Sequence, residues 1–292
     1  MKTNSHKQKK GECGMQEKLA FDIIVIAGQS NAEGYGIIKE GDPFRSEFIY
    51  QVSDKNPAFV NTEDENHSFL EATYPTKAVL EPVHERVDAK GVRHADLSWS
   101  FANAYIADGN LAEDRKVLIV KAAVGGTGFA RKEWGVDSLL FKRLNAMIDF
   151  GLDLHENNRI VAFLWHQGEH DAVENTQLSL EERYTFYFDN FKKQMDVFRE
   201  KYGKDIPVIA GEFADNWAEL PENKEKCDAV EKALKDVCRE IGRAAVAEST
   251  GLLSNDQALQ NGDILHFCEE AQYILGRRYY EKYKELVSEA SR

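Results

Sequence analysis

Five short apolar runs alternate along the chain with stretches of helical periodicity, and this alternation narrows the possible folds more than any other feature. The runs are 22–27 (Asp22-Ile23-Ile24-Val25-Ile26-Ala27), 117–124, 160–165, 207–213 and 243–248. The stretches between and after them predict helices near 98–108, 137–156, 178–202, 222–241 and 269–289. Short β-branched runs without polar alternation read as strands buried on both faces. Strands alternating with helices in this way form a parallel sheet covered by helices on either side. Reactive groups of such folds collect in the loops after the carboxyl ends of the strands.

The absence of a repeat, a low-complexity linker or a second core predicts a single domain over 20–292, after a flexible lead-in at 1–19. The stretch 37–97 follows neither period. Loops of more than about 15 residues are usually functional or disordered. This one holds Pro43, Pro57, Pro75 and Pro82, several aromatics, and His67, His84 and His94. That content argues for order, so 37–97 is expected to wrap over the site and shape substrate binding.

The formal net charge is −13. Such a chain repels phosphate backbones and anionic bilayers. No apolar stretch reaches the roughly 18–20 residues that span a membrane. Neither nucleic acid nor membrane is therefore an expected partner. The lysine-bearing N-terminus has no apolar h-region, so no signal peptide is read there and a cytoplasmic location is expected. Cys13, Cys227, Cys238 and Cys268 show no CxxC pairing and are expected as free thiols. Cys227 and Cys238 share one predicted helix, separated by about 16 Å of rise, too far to bridge.

Four polar clusters sit where the chemistry of such a sheet belongs. Gly28-Gln29-Ser30-Asn31 follows the first run, which makes Ser30 either a nucleophile or the N-cap of the next helix. Asp263-Ile264-Leu265-His266 follows the last run. That spacing lets a carboxylate reach the imidazole three residues on, fixing its tautomer, or else forms a polar turn before the final helix. Gly125-Gly126-Thr127-Gly128 follows the second run and either points backbone amides at a developing oxyanion or makes a tight turn. Trp165-His166-Gln167-Gly168-Glu169-His170-Asp171 ends the third. There His166-x-x-Glu169-His170 matches an inverted zinc-protease motif, which needs both histidines on one helix. The other reading makes the Gln167 amide an oxyanion donor, with Glu169 and Asp171 holding the loop or capping a helix.

Together these clusters resemble the SGNH (GDSL-like) hydrolase superfamily, and most closely its sialate O-acetylesterase-like and carbohydrate esterase family 6 (acetylxylan esterase) branch. The resemblance rests on Gly28-Gln29-Ser30-Asn31, Gly125-Gly126-Thr127, Trp165-His166-Gln167-Gly168-Glu169 with Asp171, and Asp263-x-x-His266-Phe267. A weaker Glu81-Pro82-Val83-His84 segment adds to it. The motifs stand in the family's order from about 22 to 280. The resemblance implies a flavodoxin-like three-layer α/β/α sandwich around a central parallel five-stranded sheet. It implies removal of O-acetyl groups from a carbohydrate, with no metal and no cofactor. It makes Ser30 the nucleophile, His266 the base and Asp263 its orienting acid. The oxyanion hole falls to the amides of Ser30 and Gly125 or Gly126, with the Gln167 side chain; Gln29, Asn31, His166, Glu169 and Asp171 support the site or touch substrate.

The chain departs from the family pattern at His170 and in Ala95-Asp96-Leu97-Ser98-Trp99, both expected at the rim of the site. Its acidic balance suits a neutral or cationic sugar better than sialic acid. Arg45, Arg86, Arg93 and Arg131 are the candidates for a carboxylate clamp. The alternatives are a thioesterase or lysophospholipase on the same fold, a zinc hydrolase using His166, Glu169 and His170, and an inert carbohydrate-binding protein.

Overall fold

A computed structural model describes residues 19–55, 77–174 and 177–290. Most of the expected lead-in, with Cys13, and the segment 56–76, with Pro57, His67 and Pro75, lie outside the described residues. In chain order the elements are β1 (Ala20–Gly28), α1 (Ser30–Glu33), β2 (Gly36–Ile38), β3 (Ile49–Asp54), β4 (Ala78–Pro82), β5 (Arg86–Val87), β6 (Arg93–Ala95), α2 (Leu97–Ala107) and β7 (Arg115–Lys121). They continue with α3 (Leu139–Asp153), β8 (Arg159–His166), α4 (Glu169–Val173), α5 (Leu180–Tyr202), β9 (Val208–Gly211), α6 (Asp215–Ala218), α7 (Lys224–Ile241), β10 (Ala244–Ala247), α8 (Asn255–Leu259) and α9 (Glu269–Ala290).

The main sheet has seven strands in the order β10-β9-β8-β1-β7-β3-β4. The five expected strands are all present and mutually parallel. Two more extend one edge: β3 runs parallel to β7, and β4 antiparallel to β3. Both come from the stretch read as a long loop, as does most of a three-stranded antiparallel sheet, β2-β6-β5. The period was hidden because β3 carries Gln51, Ser53 and Asp54, and β4 carries Glu81. Buried Asp54 is neutralised by Arg143 at 3.0 Å.

Successive side chains of β1 serve opposite faces, as strand geometry requires. Ile23 and Val25 join Leu144, Phe163, Trp165, Phe191 and Leu234 beneath α3, α5 and α7. Ile24 and Ile26 join Phe101, Tyr105, Leu164, Leu275 and Tyr279 beneath α2 and α9. Each such side chain contributes about 1.5–3 kcal/mol by leaving water, which is why the central strands read as unbroken apolar runs. Asp22, at the entry to β1, is fully buried but paired with Arg115 at 2.8 Å and Arg159 at 2.7 Å. It sits at the opposite end of the strand from Ser30. Among the described residues no helix is long and apolar enough to cross a membrane.

Candidate active site

Gly28 brings the chain to Ser30. Its φ is +132°, and a Cβ there would lie 2.0 Å from the His166 carbonyl oxygen. Only glycine lets β1 and β8 close at this point, where the Gln29 N–H donates to that same carbonyl at 2.9 Å. The Gln29 side-chain oxygen accepts from the amides of Gly168 (3.4 Å) and His170 (3.2 Å), tying this turn to the start of α4. Ser30 then begins α1, so its N–H has no carbonyl in its own helix to bond.

The final loop brings an imidazole to this serine across 236 residues of sequence, with His266 Nε2 2.9 Å from Ser30 Oγ. On the other side of the ring, Nδ1 lies 2.9 and 3.0 Å from the Asp263 carboxylate oxygens. A carboxylate only accepts, so Nδ1 carries the proton and Nε2 faces the serine hydroxyl as acceptor. Burial raises the Asp263 carboxyl, but hydrogen bonds from His266 and Asn255 outweigh it and hold the group below the ordinary carboxylate range.

Asn255 is a hub that the sequence reading missed. Its Nδ2 donates to Asp263 Oδ2 and to the Tyr35 carbonyl, each at 2.9 Å, and its Oδ1 accepts from the Ile37 amide at 3.2 Å. The signal was Ser254-x-x-Gln257, a capping box that starts α8 and fixes Asn255 in its first turn. Asn31 ties the loop down from the other side. It accepts from the Phe267 amide at 3.1 Å and donates to Glu169 at 2.9 Å and to the Leu265 carbonyl at 3.3 Å.

Two expected oxyanion donors are committed elsewhere. The Gly125 amide donates to Glu33 Oε2 at 2.6 Å. The fully buried Gln167 amide donates to Asp171 at 2.7 Å, and to Gln29 and the Thr127 carbonyl at 3.2 Å each. Gln167 is also not among the residues lining the cleft. Gly126 has a φ of +67° and lines the cleft, and its amide has no acceptor among the described residues. Of the expected donors, the amides of Ser30 and Gly126 are the two with no acceptor among the described residues.

His166 and His170 do not share a helix: His166 ends β8, and His170 lies on α4 beyond Gly168. The Tyr279 hydroxyl donates to the Trp165 carbonyl, so it accepts from His166 Nδ1 at 2.9 Å. His166 Nε2 lies 3.6 Å from Glu169. Burial raises the Glu169 carboxyl, yet His166 and Asn31 bring it below the ordinary range. Among the described residues no group of three or more His, Cys, Asp or Glu is arranged to hold a metal ion.

A family described as "Carbohydrate esterase, sialic acid-specific acetylesterase" matches residues 20–285. The chain belongs to this family. It is a carboxylic ester hydrolase that acts on acetylated carbohydrate. No curated protein matches it in sequence. Among solved structures it is similar to NanS, at 17% identity and a TM-score of 0.69, over 92% of this chain and 98% of that one. It is also similar to a protein from Arabidopsis thaliana, at 20% identity and a TM-score of 0.65, over 91% of this chain and 98% of that one. A carbohydrate acetylesterase from Xanthomonas citri aligns at 13% identity and a TM-score of 0.56, over 91% of this chain and 56% of that one. At these identities the likeness is one of fold.

The esterase opens Ser30 and His266 into a cleft of about 310 Å³ whose rim includes Tyr35, His170, Val173, Trp217 and Leu265. No described residue of 37–97 lines it. The segment Ala95–Trp99, expected at the rim, instead starts α2, where Asp96 caps the amides of Ser98 and Trp99 and binds Lys121 at 2.6 Å. Arg86 pairs with Glu33 at 3.1 Å and Arg131 with Glu174 at 3.5 Å. Arg93 pairs with Glu85, and none of these three arginines, nor Arg45, lines the cleft.

Asp171 pins the loop after β7 by accepting from the Phe129 (3.1 Å) and Ala130 (2.6 Å) amides. Burial pushes its carboxyl up to about 6 against those bonds and the one from Gln167. A carboxyl raised in the folded state stabilises the fold at low pH, and that stability is lost as pH rises from about 4 to 6. The unfolding free energy of the wild type minus that of Asp171→Asn is expected to fall by about 3 kcal/mol across that window in urea titrations. A flat difference would contradict this account of Asp171.

Proposed function

We propose that this carbohydrate O-acetylesterase works through an acetyl-Ser30 intermediate, with His266 as base and Asp263 as its orienting acid. The reading rests on one observation, the unbroken relay Ser30 Oγ–His266–Asp263 opening into the cleft. His266 Nε2 takes the hydroxyl proton as Ser30 Oγ attacks the acetyl carbonyl carbon. The developing oxyanion accepts from the amides of Ser30 and Gly126. Collapse breaks the bond to the sugar oxygen, which leaves with the proton from His266. Water, deprotonated by His266, then attacks the acetyl-serine and releases acetate. Asp263 stays ionised throughout and stabilises the imidazolium.

The small volume of the cleft and its aromatic rim support a short acyl group on a sugar leaving group. Trp217 offers a flat apolar face of the kind on which a pyranose packs. The test is a panel of 4-nitrophenyl esters of rising acyl length, run beside acetylated sugars. The kcat/KM is expected to fall about tenfold or more from acetyl to octanoyl. A preference for octanoyl would support the thioesterase or lysophospholipase reading instead.

A further inference from the structure

We propose that Glu33 and Arg86 are positioning residues of the esterase, a charge-compensated brace that aims the Gly126 amide at the oxyanion; this rests on the Ser30 reading above. Glu33 closes α1, three residues after Ser30. One carboxylate oxygen accepts from the Gly125 amide at 2.6 Å, and the other from Arg86 Nε at 3.1 Å. The first bond takes Gly125 out of the oxyanion hole and holds the N–H end of the Val124–Gly125 peptide, which adjoins the peptide that carries the Gly126 N–H. The carbonyl end of that peptide and the rest of the turn are held by other side chains. Thr127 Oγ1 donates to the Val124 carbonyl and accepts from Trp134 Nε1, and the Gly128 amide donates to Glu133. Glu33 is thus the restraint that ties the turn to the helix that Ser30 begins.

A carboxylate here would oppose the charge the reaction develops. Oxyanion and carboxylate would share one turn, and like charges in a partly desolvated site repel strongly. Arg86 removes that conflict. Both side chains of the pair are largely buried, at 15% and 14% exposure, so solvent screens them little. The Arg86 guanidinium also lies 4.3 Å from the centre of the Tyr35 ring. That ring stacks on His266 with centroids 4.6 Å apart. One arginine, delivered by β5, therefore bears on both the oxyanion turn and the base.

The brace predicts a pattern that a packing role does not. With 4-nitrophenyl acetate, Glu33→Ala is expected to lower kcat about 10²-fold, the scale of one misplaced oxyanion donor, with KM within about threefold of wild type. Glu33→Gln keeps an acceptor for Gly125 and should stay within about fivefold of wild-type kcat. Arg86→Met strands the Glu33 charge beside the oxyanion and should lose about tenfold or more in kcat. Adding Glu33→Gln to Arg86→Met should then recover most of that loss. Wild-type kcat in Glu33→Ala, or a double variant slower than Arg86→Met alone, would overturn the brace. Mapping a phosphonylating reagent on the wild type by mass spectrometry separates the two readings. Label away from Ser30 overturns both, whereas label on Ser30 with an unimpaired Glu33→Ala overturns the brace alone.

Discussion

Ser30→Ala is expected to lower kcat for 4-nitrophenyl acetate by about 10⁵–10⁶-fold, the loss seen when a serine hydrolase loses its nucleophile. The fold should survive. Ser30 is 4% exposed, and its hydroxyl makes one hydrogen bond, to His266. His266 keeps Asp263 on its other nitrogen and Tyr35 on its ring. Alanine is the best helix former, so the first turn of α1 loses nothing in propensity. The stability change is therefore expected within about 1 kcal/mol, the net worth of one hydrogen bond. Initial rates and urea unfolding on the same preparation decide it. A folded variant with wild-type turnover would remove Ser30 from the mechanism, whereas trace turnover is consistent with an oxyanion hole acting on water alone.

The parts of this molecule that were legible in the sequence share a physical cause. β1, β7 and β8 are covered on both faces, so they appear as unbroken apolar runs with the polar clusters just beyond. The convergence of Ser30, His266 and Asp263 could be anticipated because Ser30 lies next to such a run and the other two stand at a local three-residue spacing. β3 and β4 carry polar residues paired with distant partners, as Asp54 is with Arg143, and so lack the period that marks a strand. The same reason hid Asn255, Glu33 and Arg86, whose partners are brought in from elements far away in the chain. Gln167 shows the converse error. The sequence put a polar side chain at the right strand end but could not give its direction. The turn through Gly168, with a φ of +141°, leaves that side chain against Gln29 and Asp171.

Asp263→Asn should be nearly as damaging as loss of the serine, although it changes one oxygen to nitrogen. Both oxygens of Asp263 accept hydrogen bonds, so an amide there leaves one donor facing its NH₂. Asp263 Oδ2 now accepts from Asn255 Nδ2. Asn255 cannot flip to offer its oxygen, because its Nδ2 also serves the Tyr35 carbonyl and its Oδ1 the Ile37 amide. With the amide oxygen toward Asn255, the NH₂ takes the Oδ1 place, 2.9 Å from His266 Nδ1, and the His266 backbone amide, 3.2 Å from that place, loses its acceptor. An NH₂ that donates to Nδ1 makes that nitrogen an acceptor and moves the ring proton to Nε2, the atom 2.9 Å from Ser30 Oγ. The ring would meet the hydroxyl as a donor and could not take its proton. The carboxylate charge that stabilises the imidazolium is lost as well. Together these effects should lower kcat about 10⁴-fold, the scale of the same exchange in other serine hydrolases, with KM little changed. His266→Ala should be at least as severe, since it removes the base outright. Wild-type kcat in Asp263→Asn would mean that another carboxylate orients His266. Glu169 is the next candidate, but it sits against His166 and Asn31, so a result of that kind would require the final loop to rearrange.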